Sequence, residues 1–178
     1  LAHYEPGARY NAAKVDATIA GGKLSGSKSL VINGGDAATL VVSAKDGDKL
    51  VLALVAKDAE GVAIKAFKTH DGFGAAEVTF TDVAVAADDV LLLGDAAEAA
   101  LGRALARATL ALCAESLGAM ENARDATLEY LRTRTQFGVP IGKFQVLQHR
   151  LVDVCLEIEQ VRSIVLLAAS KLDAGDRD

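Results

Sequence analysis

The chain has 178 residues, 51% of them apolar and 24% charged, a globular balance that excludes a disordered protein. A net charge of −5, with 4% aromatic residues and no Trp, makes nucleic acid and anionic membrane surfaces unexpected partners. Two cysteines cannot build a disulfide framework, no Cys/His cluster has metal-ligand spacing, and no apolar run reaches the ~20 residues of a membrane span. Reduced thiols and a cytoplasmic setting are expected.

Residues 1–93 read as short strands. Val15, Ala17 and Ile19 alternate with polar or small neighbours, and Gly21-Gly22 supplies a turn before a strand over 23–32. Asn33-Gly34-Gly35-Asp36 breaks that run. Residues 39–44 and 49–55 are β-branched or Leu-rich, and Lys45-Asp46-Gly47-Asp48 between them is a hairpin signal. Further strands are predicted over 62–67 and 77–80. Short strands at this spacing predict a small antiparallel β-barrel or sandwich.

From residue 94 the period changes to that of a helix. Asp95 is placed as an N-cap acceptor with Glu98 close to a capping box, and no proline interrupts until Pro140. The predicted buried stripe of this first rod runs through Leu101, Leu105, Ala108, Leu112, Ala119, Ala123, Ala126 and Tyr130. A second helix is predicted from about Phe144 to Ala174, with Gly175 at its end. Its Leu147, Leu151, Val154, Ile158, Val161, Val165, Ala168 and Leu172 step by four and three, while Leu156, Ile164, Leu166 and Leu167 widen the apolar face. The class is therefore α+β: a β domain over 1–93, then a long antiparallel helix hairpin over 94–178. Two such helices bury one face each and need further helices or subunits, as in a four-helix bundle.

No Rossmann fingerprint, P-loop, zincin helix or nucleophile elbow is present. His3, His70 and His149 read as surface or internally satisfied residues. Asp88-Asp89 and the acidic run over 173–178 read as solvated ends. The informative segment joins the two rods: Arg134-Thr135-Gln136-Phe137-Gly138-Val139-Pro140-Ile141, followed by Phe144-Gln145. Arg134 falls in the last turn of a helix, where a cation gains about 0.3–1 kcal/mol without any ligand. A fork-shaped donor beside a flat ring and two amides also suits a pyrophosphate and an adenine.

In this block the sequence resembles the acyl-CoA dehydrogenase family, whose helix hairpin carries Arg-x-Gln-Phe-Gly-x-Pro-Ile and then Phe-Gln. Tyr4-Glu5-Pro6-Gly7-Ala8 is similar to the family's Thr-Glu-Pro-Gly-Ala, and Leu24-Ser25-Gly26-Ser27-Lys28 to its Asn-Gly-x-Lys strand. Val31-Ile32-Asn33 stands where the family has Ile-Thr-Asn, and Phe80-Thr81-Asp82-Val83-Ala84-Val85 resembles its Phe-x-Asp-Val-x-Val. Glu-Pro with Arg9-Tyr10, and Phe144-Gln145-Val146-Leu147-Gln148-His149, resemble the pimeloyl-CoA dehydrogenase small-subunit branch more closely.

The resemblance implies a middle β domain followed by the first two helices of the C-terminal bundle, in a homo- or hetero-oligomer arranged as a dimer of dimers. It implies FAD, an acyl-CoA substrate, a trans-2-enoyl product as in fatty acid β-oxidation, and an electron-transfer flavoprotein as electron acceptor. Arg134, Gln136, Phe137 and Gln145 would reach FAD held mainly by another subunit. Tyr4, Val31 and Ile32 would lie at the flavin ring.

The sequence departs from the family at that ring. Tyr4 replaces Thr, Arg9-Tyr10 replaces Gly-Ser, and Leu30-Val31-Ile32 replaces aromatic-Ile-Thr, so Ile32 has no hydroxyl for flavin N5 and Tyr10 competes for ligand volume. The family's base is a Glu, in most members on later helices. In a minority it stands on the first rod just ahead of an Arg, at places that here hold Ala108 and Thr109. Glu115 and Glu121 read as surface or inter-helix charges, so no catalytic residue and no metal ligand is assigned. The alternative to an enzyme subunit is a non-catalytic partner that contributes to a neighbour's FAD site.

Overall fold

A computed structural model describes residues 1–9 and 11–175; Tyr10 and residues 176–178, with the expectations placed on them, lie outside the described residues. In chain order the elements are β1 (Thr18–Ala20), β2 (Lys23–Ile32), β3 (Thr39–Asp46), β4 (Lys49–Ala56), β5 (Val62–Lys68), β6 (Gly74–Ala84) and β7 (Val90–Leu93). Then come α1 (Asp95–Thr133), β8 (Thr135–Gln136), β9 (Val139–Pro140) and α2 (Gln145–Ala174). The chain divides into two compact units, Leu1–Leu101 and Gly102–Asp178.

In the first unit β1 to β7 form one sheet in the order β5-β6-β2-β1-β3-β4-β7. Its neighbours are antiparallel except for β1 and β3, which meet in parallel at Thr18↔Lys45, so the sheet is mixed, and among the described residues β5 and β7 remain its edges. The best-formed pair, β3 with β4, keeps register from Thr39↔Ala56 to Asp46↔Lys49 across Gly47, whose φ of 59° suits the tight turn. Leu24, Val31, Leu40, Val42, Val51, Val55, Val78, Phe80 and Val83 fill one continuous core. Each such side chain, fully buried, contributes about 1.5–3 kcal/mol. β7 was not expected. Its four residues alternate half-buried and exposed beside Asp88-Asp89, and only pairing with β4 reveals it as a strand.

The middle of the sheet has one unusual feature. β1 is only three residues long, yet residues 2–4 prolong its lane between β2 and β3. Ala2 donates to the Val41 carbonyl at 2.8 Å and accepts from Ser43 at 3.2 Å, while the Tyr4 carbonyl accepts from Ser29 at 2.8 Å. Residues 5–16 leave this lane and return to it at Ala17, whose carbonyl accepts from Lys45 at 2.8 Å.

In α1 the Glu98 N–H bonds to the Gly94 carbonyl at 3.0 Å, so Gly94 rather than Asp95 stands at the cap. In the second unit α1 and α2 run antiparallel. The predicted α1 stripe is buried at Leu101 and half-buried at Leu105, but exposed at Ala108, Leu112, Ala119, Ala123, Ala126 and Tyr130. The covered row is instead Leu117, Met120, Glu121, Arg124, Leu128 and Leu131. A rod that is apolar on two rows does not specify by periodicity which row meets which partner. For α2 the expected row holds except at Val154, which is 43% exposed: Ile158 is buried and Leu147, Leu151, Val161, Val165, Ala168 and Leu172 are half-buried. Leu156, Ile164, Leu166 and Leu167 face outward uncovered. Gly175, at φ 76°, ends α2 by donating to the Leu172 carbonyl at 3.2 Å. No helix among the described residues is long and apolar enough to cross a membrane.

Candidate functional site

The segment between the rods is a miniature hairpin rather than a plain linker. The Arg134 N–H closes the last turn of α1 on the Tyr130 carbonyl at 2.9 Å, and the Arg134 carbonyl accepts from Ile141 at 2.8 Å. β8 pairs with β9 through Thr135↔Pro140 and Gln136↔Val139. Phe137 and Gly138 form its tip with φ of 54° and 78°, both left-handed, the requirement of a two-residue turn of this hand. Gly138 adopts that conformation freely, whereas at Phe137 it costs about 1–2 kcal/mol.

The strain displays a side chain. The Phe137 ring is 91% exposed and touches another ring only edge-on, that of Phe144 with centroids 6.1 Å apart. Arg134 is exposed and forms no ion pair among the described residues. Gln136 is also exposed, its amide resting on the Thr135 carbonyl at 2.8 Å. Gln145, exposed, opens α2. Four of the predicted residues therefore gather around one turn and present a guanidinium, a ring and two amides to solvent. Their backbone is fixed by α1 on one side and α2 on the other.

The other three predicted residues belong to the first unit. Tyr4 is half-buried with its ring 5.2 Å from that of His3. Val31 is 1% exposed, so its side chain belongs to the core and only its backbone can meet a ligand. Ile32 is 54% exposed and presents hydrocarbon where the resembled family has a hydroxyl. Leu30 and Asn33, at φ 50° and 55°, bend this end of β2.

A polar cluster that the sequence does not announce lies beneath Tyr4. The Lys28 ammonium, with 0% side-chain exposure, pairs with Glu5 at 2.6 Å and donates to Ser43 Oγ at 3.1 Å and to the His3 carbonyl at 3.2 Å. His3 is buried, the second of the two settings expected for it; its Nδ1 lies 2.8 Å from Ser43 Oγ, and its Nε2 has no hydrogen-bond partner among the described residues. Burial, then the Lys28 charge, holds the His3 imidazole below its ordinary value, so a neutral ring is favoured. Burial alone would raise the Glu5 carboxyl, but the Lys28 bond and the N–H groups of Ala17 and Asp16 outweigh it and hold Glu5 below the usual carboxylate range. Lys28 itself is lowered by burial, against the pull of Glu5. Ser43 sits beside an ammonium and an imidazole, but it is fully buried, so no substrate can reach it as a nucleophile. In the sequence Glu5 and Lys28 stand in two separate motifs, Tyr4-Glu5-Pro6-Gly7-Ala8 and Leu24-Ser25-Gly26-Ser27-Lys28, and nothing in either shows that they pair.

No group of His, Cys, Asp and Glu among the described residues has the arrangement of a metal site. Cys113 and Cys155 are free thiols. Glu115 is exposed, and Glu121 pairs with Arg162 of α2 at 2.7 Å, which occupies it between the helices.

Residues 97–178 match the family model described as the acyl-CoA dehydrogenase C-terminal domain. A probable acyl-CoA dehydrogenase of Bacillus subtilis (strain 168) is 33% identical over 159 residues, 82% of this chain and 41% of the relative. Among solved structures, butyryl-CoA dehydrogenase from Megasphaera elsdenii superposes with a TM-score of 0.83 at 28% identity, over 99% of this chain and 49% of that one. The structure titled PigA with FAD and proline superposes with a TM-score of 0.90 at 26% identity, again over 99% of this chain and 49% of that one. The chain thus spans less than half the length of these relatives. Both units fold as the corresponding part of those structures does, and the signature block falls within the matched family domain: the chain belongs to the acyl-CoA dehydrogenase family.

Proposed function

We propose that the complete protein is a subunit of a flavin-dependent acyl-CoA dehydrogenase, and that the corner of Arg134, Gln136, Phe137 and Gln145 grips the adenosine diphosphate half of an FAD held mainly by another subunit. One observation carries this reading. Phe137 stands 91% exposed on a left-handed backbone. A ring displayed in that way contributes little to its own fold, and strain of this kind persists where a function selects it. Adenine offers the ring a flat face and the amides a polar edge. Pyrophosphate offers the guanidinium a bidentate partner. The neighbour titled with FAD, PigA, supports the same choice of cofactor.

These residues fit the adenine and phosphate end of FAD. At the flavin end the fit rests on backbone groups of Tyr4, Val31 and Ile32, because Val31 is buried and Ile32 is hydrocarbon. Bound FAD would supply the two-electron acceptor for α,β-dehydrogenation of an acyl-CoA thioester. The chain's own part is to grip the adenosine diphosphate half of a neighbour's FAD with that corner and, in its first unit, to keep water from a flavin ring with the apolar Leu30 and Ile32. The α proton needs a carboxylate over the thioester. Glu115 and Glu121 do not supply it, so we assign the base to a segment beyond this chain. An electron-transfer flavoprotein is the proposed acceptor. The uncovered faces of α1 and α2 support an assembly in which other helices, of the complete chain or of sister subunits, complete a bundle.

A second reading has its own support. Ile32, Ala108 and Thr109 stand where the resembled family places a hydroxyl or, in a minority, the base and its Arg. These substitutions favour a non-catalytic partner that lends its corner to a neighbour's FAD. Purifying the complete protein alone and together with its partner subunit separates the two. A yellow protein that dehydrogenates an acyl-CoA by itself supports the enzyme reading. Flavin and turnover only in the mixed complex support the partner reading, and no flavin in either preparation contradicts both.

A further inference from the structure

Residues 2–4 and β1 occupy the same lane of the sheet, and the loop over 6–16 is an excursion from it. One carboxylate closes the neck of that loop. Glu5 Oε2 accepts the Asp16 N–H at 2.7 Å, and Oε1 accepts the Ala17 N–H at 3.0 Å together with the Lys28 ammonium at 2.6 Å. Lys28 comes from β2 and also binds the His3 carbonyl, at 3.2 Å, and Ser43 of β3, at 3.1 Å. A single ammonium therefore links both walls of the lane to the segment running within it, and Glu5 carries that fixation to the far end of the loop.

Among the described residues the rest of the loop is held lightly, by the Ala12 backbone beside the His3 ring, the Asn11 side chain accepting the Ala13 N–H at 3.0 Å and the exposed Lys14–Asp16 pair at 3.4 Å. Its N–H groups at Ala8, Asn11 and Lys14 bond only to carbonyls three residues back, at 3.0 to 3.2 Å. Among its described residues Ala8 and Val15 are buried and Ala12 is half-buried. Few buried contacts mean that its position is set at the neck. A buried ion pair is also an inefficient source of stability, since the desolvation of both ions offsets most of their attraction and apolar replacements often serve as well. A carboxylate does what an apolar side chain cannot: it binds two amides at fixed places, eleven and twelve residues along the chain.

We propose that Glu5, itself fixed by Lys28, is a positioning residue that locks the neck of the 6–16 loop and thereby sets where that loop and the Tyr4 backbone stand against a bound flavin. The lock is a property of this unit alone; its consequence for flavin rests on the functional reading above.

The test uses the complete protein and the double variant Glu5→Gln/Lys28→Met, which removes both buried charges together and leaves no unpaired ion. Tryptic cleavage after Arg9 and Lys14 should rise about tenfold at unchanged circular dichroism, the equivalent of tenfold more open loop. The visible flavin band of the loaded protein should shift as well. Unchanged cleavage in the folded variant overturns the lock. Raised cleavage with an unmoved flavin band upholds the lock and overturns its role in positioning. Should the double variant not fold, hydrogen exchange of the unaltered protein decides: protected Asp16 and Ala17 amides support the lock, and exchange at the rate of unprotected amides overturns it. A complete protein without flavin defeats the functional reading, while cleavage and exchange still judge the lock.

Discussion

Gly142 lies directly against the backbone of Leu131: a β-carbon on Gly142 would stand 2.8 Å from the Leu131 carbonyl oxygen. The contact seats the short 3-10 turn over Ile141–Lys143 against the end of α1, and with it the return arm of the Arg134–Phe137 hairpin. Backbone cannot move aside as a flexible side chain can. Gly142→Ala should therefore displace the hairpin, costing about 1–3 kcal/mol as overpacking does. Urea denaturation measures that cost, and FAD titration of the complete protein should show weakened binding in the same variant.

Phe137 separates a role in ligand binding from a role in folding. Its ring is almost wholly in water, so Phe137→Ala should change stability by no more than about 0.5 kcal/mol. Loss of a stacking face on adenine should nevertheless weaken FAD binding about tenfold, a little over 1 kcal/mol. Parallel denaturation and FAD titration check both halves. A variant that loses stability and keeps its affinity would reverse the assignment.

For Arg134 the signature is the dependence on salt. An exposed guanidinium gripping pyrophosphate is screened as the Debye length falls from about 10 Å at 0.1 M to about 3 Å at 1 M. Arg134→Ala should lose most affinity for FAD at low salt, and the two proteins should converge at high salt. Dissociation constants over that range, for the complete protein and its variant, provide the check.

Acid should loosen the first unit in two steps of one sign. Above pH 6.5 the neutral His3 is at no disadvantage; below it the unfolded chain takes up a proton that the buried imidazole, facing Lys28, resists. Stability present above 6.5 is thus lost as the pH falls toward the lowered folded value of His3. Glu5, also lowered, adds a further loss below 4.5 as its bond to Lys28 is protonated away. Denaturation at pH 7, 6 and 5 should show the first loss, and His3→Gln should flatten it. An equal slope in the variant would assign the loss to another group.

Much of this was legible in the sequence, for identifiable reasons. The β3–β4 hairpin follows from Asp46-Gly47 between β-branched runs, and α2 from an unbroken three-four spacing ended by Gly175. Strand β7 was hidden because four residues carry too little pattern without β4 beside them. Beyond Leu105 the covered row of α1 is not legible from periodicity, because the exposed Ala-rich row is equally apolar. At the candidate site, the motif singles out Arg134, Gln136, Phe137 and Gln145, and it gives no sign of the left-handed tip that exposes the ring. Glu5 and Lys28 each stand in a quoted motif, but their pairing joins residues 23 positions apart, and no local pattern reveals it.

A structure of the complete assembly with FAD tests the central claim most directly. The account predicts the Phe137 ring in van der Waals contact, about 4 Å, with the adenine of an FAD bound by a sister chain, and the Arg134 guanidinium within hydrogen-bond distance of its pyrophosphate. The same two side chains in open solvent, remote from every flavin in the assembly, would contradict it.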